Sequence, residues 1–280
     1  MDFSFLKQSS YKNIVVELTR QQVKTQYRDS SLGFLWTVLN PLLNMLVMWV
    51  VFSSVLQIND PYYPIYLLTG TILFSCLRNS TFQAMESIVN NRGLLLRTKI
   101  SLSIFPMSNI LSSIVNFLFS FIALIPFMIW LTLSPELGIN LFTYRLSFIL
   151  LMIPALALFE FGLGLLLSAV FVFFRDLKHL YTVFLTLWTY STPIFYSMAG
   201  LDNTTFFYKV VKFNPMFHFL NYFRDCVYRG AVGVDFLGEN IGSYLPGFGT
   251  LGLLYLLGLG ALVVGISVFE LCKNAIITRI

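Results

Sequence analysis

Two histidines, three cysteines and thirteen acidic residues are all that this 280-residue chain offers for chemistry. Cys76, Cys226 and Cys272 are scattered, odd in number and without a C-x-x-C spacing, which argues against a disulfide framework or a cysteine metal site. His179 and His218 fall in loops on opposite sides of a membrane in the topology derived below, so they cannot share a metal. There is no H-x-x-x-H, no Ser/His/Asp set and no pair of intramembrane carboxylates, which argues against an intramembrane hydrolase or a glycan transferase. No catalytic, cofactor-binding or metal residue is assigned. G-x-x-x-x-G-K-[ST] is also missing, so any ATP, with its Mg, belongs to a partner. The first thirty residues are polar and charged rather than a short basic segment followed by an apolar one, so no secretory signal is read and the N-terminus is expected in the cytoplasm.

What the chain does have is apolar surface: 57% hydrophobic and 17% aromatic against 11% charged, more than a soluble core could bury. Only helix bundles and closed barrels span a bilayer, because hydrocarbon satisfies no backbone polar group. Runs such as "LLNMLVMWVVFSSVL" and "LGLLYLLGLGALVVGISVF" are apolar on all sides rather than alternating, so the fold class expected is an all-α membrane bundle. At about 20 apolar residues per span, six spans are placed at 33–56, 64–84, 107–133, 146–174, 180–197 and 249–271. Basic residues concentrate in the segments that share a side with the N-terminus, including Arg92, Arg97, Arg175, Lys178, Lys273 and Arg279. The positive-inside rule then makes both termini cytoplasmic.

Three segments depart from a plain bundle. The stretch 8–30 contains "SYKNIVVELTRQQVKTQYR", a helix too polar to span. At 100° per residue Glu17, Arg20, Lys24 and Arg28 form one stripe and Tyr11, Ile14, Val15 and Leu18 another, so it is expected along the cytoplasmic membrane surface. Anchoring to anionic lipid and docking to a partner are both open to it, and compatible. In 85–105, Asn90, Asn91 and Gly93 interrupt "ESIVNNRGLLLRTK", which predicts a helix, a break and a short amphipathic piece; a simple solvated connection is the alternative. In 198–245, "FFYKVVKFNPMFHFLNYFRDCVY" is amphipathic but too short to cross and return, so short helices dipping into the outer leaflet are expected.

Two charges fall inside spans. Glu160 and Arg78 each lie 14 residues from the outer end of their span, roughly 21 Å deep, and a charge there marks a pathway or a partner. A buried ion pair between them, within one subunit or across a dimer, is one expectation; separate exposure to a wet channel is the other. Gly162 and Gly164 beside Glu160 leave room for close helix packing. In "YRDSSLGFLWTVLNP", Gly33 allows a sharp turn into the membrane, Pro41 favours a kink and Asn40 needs a polar partner, so Gly33, Trp36, Asn40 and Pro41 are hinge and conduit candidates.

An ordered set of local patterns resembles the permease subunits of type-2 ABC exporters of lipid-linked polysaccharides, the O-antigen, capsule and teichoic acid class. The set is "VKTQYRDSSLGFLWTVLNPLL", "SIVNNRGLLLRTK", "FPMSNILSSIVNFL", "FFRDLKHL", "TPIFY" and "NPMFHFLNYFRD", in that order and over nearly the whole chain. One departure is Ile100 and Ser101, where the family often has Phe-Pro. The resemblance implies a homodimer with two copies of a cytoplasmic P-loop ATPase, in a bacterial inner or plasma membrane, moving a lipid-linked polysaccharide among membrane lipids and contacting no nucleic acid. It implies that Glu17, Arg20, Lys24, Arg28, Glu86, Arg92, Arg97 and Lys99 meet the ATPase. Thr192, Pro193, Phe195 and Tyr196 would join the conduit, and Asn214, Pro215, Arg224 and Asp225 the outer gate. A type-2 exporter of another substrate, such as a lipid or drug, is the alternative. A secondary transporter is disfavoured because no repeated halves are seen.

Overall fold

The computed structural model describes residues 9–26, 31–55, 57, 60–97, 100–134, 140–198, 202, 204–232 and 244–279. Among them every regular element is helical. Four are long and apolar enough to cross a membrane: α2 (Trp36–Val55), the rod Ile104–Leu133, the rod Tyr144–Phe173, and α12 (Phe248–Arg279). The second rod holds α5 (Ile104–Ser120) and α6 (Ile125–Leu133), joined by a 3-10 turn, and the third ends in α7 (Phe148–Phe173). The 3-10 step precedes Pro126, which has no N–H to continue an α-helical ladder.

Two expected spans differ from those four. α3 (Tyr63–Asn90) is 28 residues, long enough to cross, but polar residues interrupt it. α8 is Leu177–Ser191, 15 residues, shorter than 180–197 implies. It stops because Thr192 precedes Pro193 and takes an extended conformation, φ −103° and ψ 131°. The chain from Thr192 to Tyr196 is therefore a turn, not the end of a helix.

α7 is the centre of the bundle, packing against α3, α5, α8, α10 (Pro215–Arg224) and α12. Its closest partner is α12, and glycine sets the distance. A methyl group on Gly162 would sit 2.3 Å from the Ala261 carbonyl group, and one on Gly265 would sit 2.1 Å from the Gly162 oxygen. The two backbones touch, so dispersion between them replaces side-chain interdigitation. On the other side of α7 a methyl on Gly164 would come within 2.9 Å of Ala84 and Ile110.

α1 (Ser9–Gln26) buries Val15 and leaves Glu17, Arg20 and Lys24 exposed. It does not lie flat across the bundle. Thr19 and Gln22 reach Ser108, and Asn116 donates to Gln26 at 2.8 Å, so contacts advance in the same direction along both helices. α1 thus runs alongside the first half of α5, drawn there by polar groups on both helices. Arg28, like Lys99, lies outside the described residues.

The break predicted after α3 falls at Asn91, whose Nδ2 donates to the Ser87 carbonyl at 2.7 Å before the single-turn helix α4 (Arg92–Arg97) begins. Arg92 and Arg97 are exposed. Glu86 is held by Lys178 at 2.6 Å, tying the end of α3 to the start of α8. Nearby, Arg279 Nη1 donates to the Phe173 carbonyl at 3.2 Å, a cation on the C-terminal end of α7. These contacts define one basic end of the bundle.

Candidate functional site

At the opposite end α9 (Phe206–Phe213) and α10 lead into a π-helical turn, Asp225–Arg229, and the single turn α11 (Gly230–Val232). α10 is not a surface helix: Met216, Phe219, Leu220, Tyr222, Phe223 and Arg224 are buried, while Phe206 and Phe213 of α9 are exposed. Its start is fixed by Asn214, which uses its whole amide. Oδ1 accepts from Met216 N at 3.0 Å and from Trp188 Nε1 at 2.7 Å; Nδ2 donates to the Ser191 carbonyl at 3.2 Å and Thr192 Oγ1 at 2.8 Å. Pro215 suits the first helical position, where no N–H is required. One side chain thereby caps α10 and holds the end of α8.

The turn 192–196 is tied down from below. Arg224 is 1% exposed and meets no carboxylate among the described residues; Nη1 donates to the Pro193 carbonyl at 2.8 Å, Nη2 to the Tyr66 carbonyl at 3.1 Å, and the guanidinium lies 3.5 Å from the Tyr66 ring centroid. Carbonyl dipoles and a π face substitute for a counter-charge. Tyr66 Oη shares its one proton between the carbonyls of Pro193 and Tyr196, and Tyr63 Oη donates to that of Phe195 at 3.0 Å. Gly70 makes the fit possible, since a methyl there would come within 2.9 Å of Ile194 and 3.2 Å of Arg224 Nη2. Thr192 and Pro193 are buried in this knot, and only Phe195 and Tyr196 are part-exposed. Asp225 accepts from Tyr244 Oη at 2.6 Å and faces Arg229 at 3.7 Å. Asp60 lies before α3, where burial pushes its carboxyl above the usual range against the pull of the Tyr62 N–H.

Below the turn a cavity of about 570 Å³ opens on the side of the bundle. α2 contributes Trp36, Thr37, Asn40, Pro41 and Asn44, and α3 contributes Thr71, Ser75, Arg78 and Asn79. Asn116 and Ser120 of α5, Gln26 of α1, Thr189 of α8, and the apolar side chains of Met48, Phe74, Ile194 and Phe195 complete it. A second cavity of about 370 Å³ shares Arg78 and Asn79 and continues past Gln83, Thr182 and Thr186 towards the basic end. Together they form one trough with α3 as its floor. From Gln83 to Thr71 it covers twelve residues of helix, about 18 Å.

The helix repeat explains the trough. Thr71, Ser75, Arg78, Asn79 and Gln83 recur at three- and four-residue intervals on α3, as do Thr37, Asn40 and Asn44 on α2 and Thr182, Thr186 and Thr189 on α8. Each is an amphipathic helix whose wet face is narrow. Pro41 fits without leaving a bare carbonyl, because Ser120 Oγ donates at 3.0 Å to the Thr37 oxygen that residue 41 would otherwise have served. α2 continues through Pro41 as one helix. Gly33 has φ +51°, a left-handed conformation that favours glycine, at the turn leading into α2.

Trp36, Asn40, Pro41 and Phe195 are thus brought together as expected lining, with Gly33 just outside. Arg78 and Glu160 are not brought together. Glu160 is 0% exposed and lies against Cys76 and Ser80. Cys76 and Ser80 flank Arg78 by two residues, so α3 turns them to α7 and Arg78 half a turn away into the trough. Within the protomer, therefore, the two charges do not pair and occupy separate environments. Sequence reasoning missed Tyr63, Tyr66 and Gly70, for which no local pattern exists. It also missed Asn44, Asn79, Ser120 and the α8 threonines, which the polar spacing within apolar helices would have revealed.

A bundle of apolar helices carrying a polar trough, closed at one end by a hydrogen-bonded turn, has the form of a membrane transport subunit. The chain belongs to the ABC-2 type transporter family, whose model matches residues 14–228, a stretch that holds every trough and knot residue named above except Arg229 and Tyr244. Its relatives include two proteins named O-antigen export system permease protein RfbA. The one from Klebsiella pneumoniae is 25% identical over 261 residues, covering 93% of this chain and 92% of its own length. That from Myxococcus xanthus is 28% identical over 227 residues, covering 78% and 82%. The polysialic acid transport protein KpsM of Escherichia coli is 21% identical over 275 residues, covering 95% and 96%.

Proposed function

We propose that this chain is the membrane subunit of an ATP-driven exporter that carries a lipid-linked polysaccharide from the cytoplasmic side across a bacterial inner or plasma membrane. The trough is the observation that carries this reading. Amides and hydroxyls suit a hydroxyl-rich polymer, and their lateral opening leaves the lipid part of an amphiphile in the bilayer. In this reading α2, α3, the α5–α6 rod, α7, α8 and α12 are six spans, α9 and α10 dip in from the outer leaflet, and the basic end with both termini is cytoplasmic.

α2 supports a homodimer. Only 6% of its most apolar window is buried, yet Asn40 and Asn44 are exposed on it. Amides facing lipid are costly. A second protomer set against this side would close two troughs into one conduit and leave the 192–196 turns as its outer barrier. Two copies of a cytoplasmic ATPase would bind ATP and Mg and push on the basic end, where Glu17, Arg20, Lys24, Arg92 and Arg97 are available. Glu86 would act there through Lys178.

The test is to purify the chain with the products of its neighbouring genes. A soluble P-loop ATPase that copurifies and hydrolyses ATP is the expected result; transport by the chain alone, driven by an ion gradient, would overturn the reading. Reversing both charges, Arg20→Glu with Lys24→Glu, is expected to weaken ATPase association at least about tenfold without changing membrane insertion. Unchanged association would remove this stripe from the coupling surface.

A further inference from the structure

We propose that Glu86 and Lys178 form an ion-pair latch across the inner mouth of the trough, which a push from the ATPase partner must part before the polymer can enter. The proposal rests on the exporter reading and adds the residues that control entry.

The helix repeat puts both residues on the path. Arg78, Asn79, Phe82 and Gln83 of α3 line the inner cavity, and so do Thr182, Leu185 and Thr186 of α8. At 100° per residue Glu86 falls between Phe82 and Asn79 in azimuth, and Lys178 falls between Leu185 and Thr182. Each continues the lining face of its helix one turn nearer the basic end. There the lining stops, and Lys178 Nζ meets Glu86 Oε1 at 2.6 Å. The ammonium also lies 5.5 Å from the ring centroid of Phe82, so it covers the last apolar wall of the cavity. Deeper in the bundle, Tyr181 Oη donates to Thr81 Oγ1 at 2.7 Å and aligns the same two helices.

Neither charge serves its own helix. Lys178 is the second residue of α8, at the positive end of its dipole, and Glu86 is four residues from the last residue of α3, near the negative end. Each is compensated by the other. Among the described residues this is the only ion pair that joins two helices. It is nevertheless a weak tie, because Lys178 is 47% and Glu86 21% exposed, and water competes for both charges. A contact that closes a path yet separates into water at little cost suits a latch more than a staple. Its place also fits the drive. Glu86 lies one turn before the break at Asn91 and the basic turn α4, and Lys178 directly follows the α7–α8 turn, so force on either cytoplasmic segment acts on the pair.

The test uses the full chain with its ATPase partner in inverted membrane vesicles, and a Thr186→Cys reporter in the inner cavity. The background is Cys272→Ser, since Cys76 and Cys226 are buried. A bulky membrane-impermeant maleimide added from the cytoplasmic side reads how open the mouth is. Without ATP, Glu86→Gln and Lys178→Gln should each label about threefold to fivefold faster than the parent, the range of an exposed ion pair. The charge exchange, Glu86→Lys with Lys178→Glu, should return labelling to the parent rate. ATP should speed labelling of the parent and add little in the two neutralised variants. A pair that only staples the fold would lower the thermal midpoint and leave labelling unchanged. Unchanged labelling overturns the latch, and so does an exchange variant as open as the single ones, or a parent complex that exports without any response of labelling to ATP. The opposite arm holds the pair shut: Glu86→Cys with Lys178→Cys, joined by a reducible bis-methanethiosulfonate linker, should stop ATP-driven export until reductant is added. Export through the linked pair overturns the latch. If export by the parent complex is intact in those cases, the exporter reading stands without it; absence of ATPase association and export overturns that reading instead.

Discussion

α7 and α2 are both long apolar helices, but 61% of the most apolar window of the α7 rod is buried in the protomer and 6% of that of α2. What differs is the residue type that interrupts the apolar run. α12 has Gly258 and Gly265, seven residues apart, against Ala155 and Gly162 of α7 at the same interval, and the two backbones meet along that line. α2 has Thr37, Asn40 and Asn44, and there the protomer opens. Small residues close a contact in a membrane because they remove bulk; amides hold one open because they need water, a ligand or another subunit.

The largest effect is expected where the closed side is tightest. Gly162→Leu should prevent recovery of folded protein, and Gly162→Ala should already cost on the order of 3 kcal/mol, read as a fall in the thermal midpoint in detergent. A wild-type midpoint for Gly162→Ala would mean that backbone contact does not hold α7 and α12 together. Asn214→Ala comes next. It strands Trp188 Nε1 and uncaps α10, costing roughly 2 kcal/mol, and it should let small solutes leak past the turn in proteoliposomes. A tight vesicle would detach Asn214 from closure of the outer end. The smallest effect belongs to the open side. Ser120→Ala removes one hydroxyl that donates to the Thr37 carbonyl, about 1 kcal/mol, and Ser120→Thr should recover it; equal midpoints for all three would show that this hydrogen bond does not hold α2 to α5.

Much of this architecture was legible in the residues. The apolar runs placed α2, the α5–α6 rod and the α7 rod within a few residues, whereas α12 runs eight residues past the expected 271; Asn91 ended α3 inside the interval its turn-forming neighbours marked. What the residues left open shares a physical origin. Arg78 and Glu160 have similar depth, and depth can be counted along a sequence, whereas the azimuth that separates them depends on which face of α3 meets α7. The course of α1 was likewise set by Ser108 and Asn116, partners some ninety residues away. Arg224 was expected at the outer gate, but nothing near it in the chain announced that Tyr66 would take its charge.

The hydroxyl groups along the trough have one consequence for motion. Thr182, Thr186 and Thr189 each donate to a carbonyl four residues back, Thr71 donates to Leu68, and Ser120 shares its one proton between the Asn116 and Thr37 carbonyls. With their protons committed, these groups offer only lone pairs to whatever passes. A polymer sugar would find the same weak acceptors at each helical turn of α8. Such a wall has little friction: it tells one repeat unit from the next poorly, and for that reason lets a long chain slide.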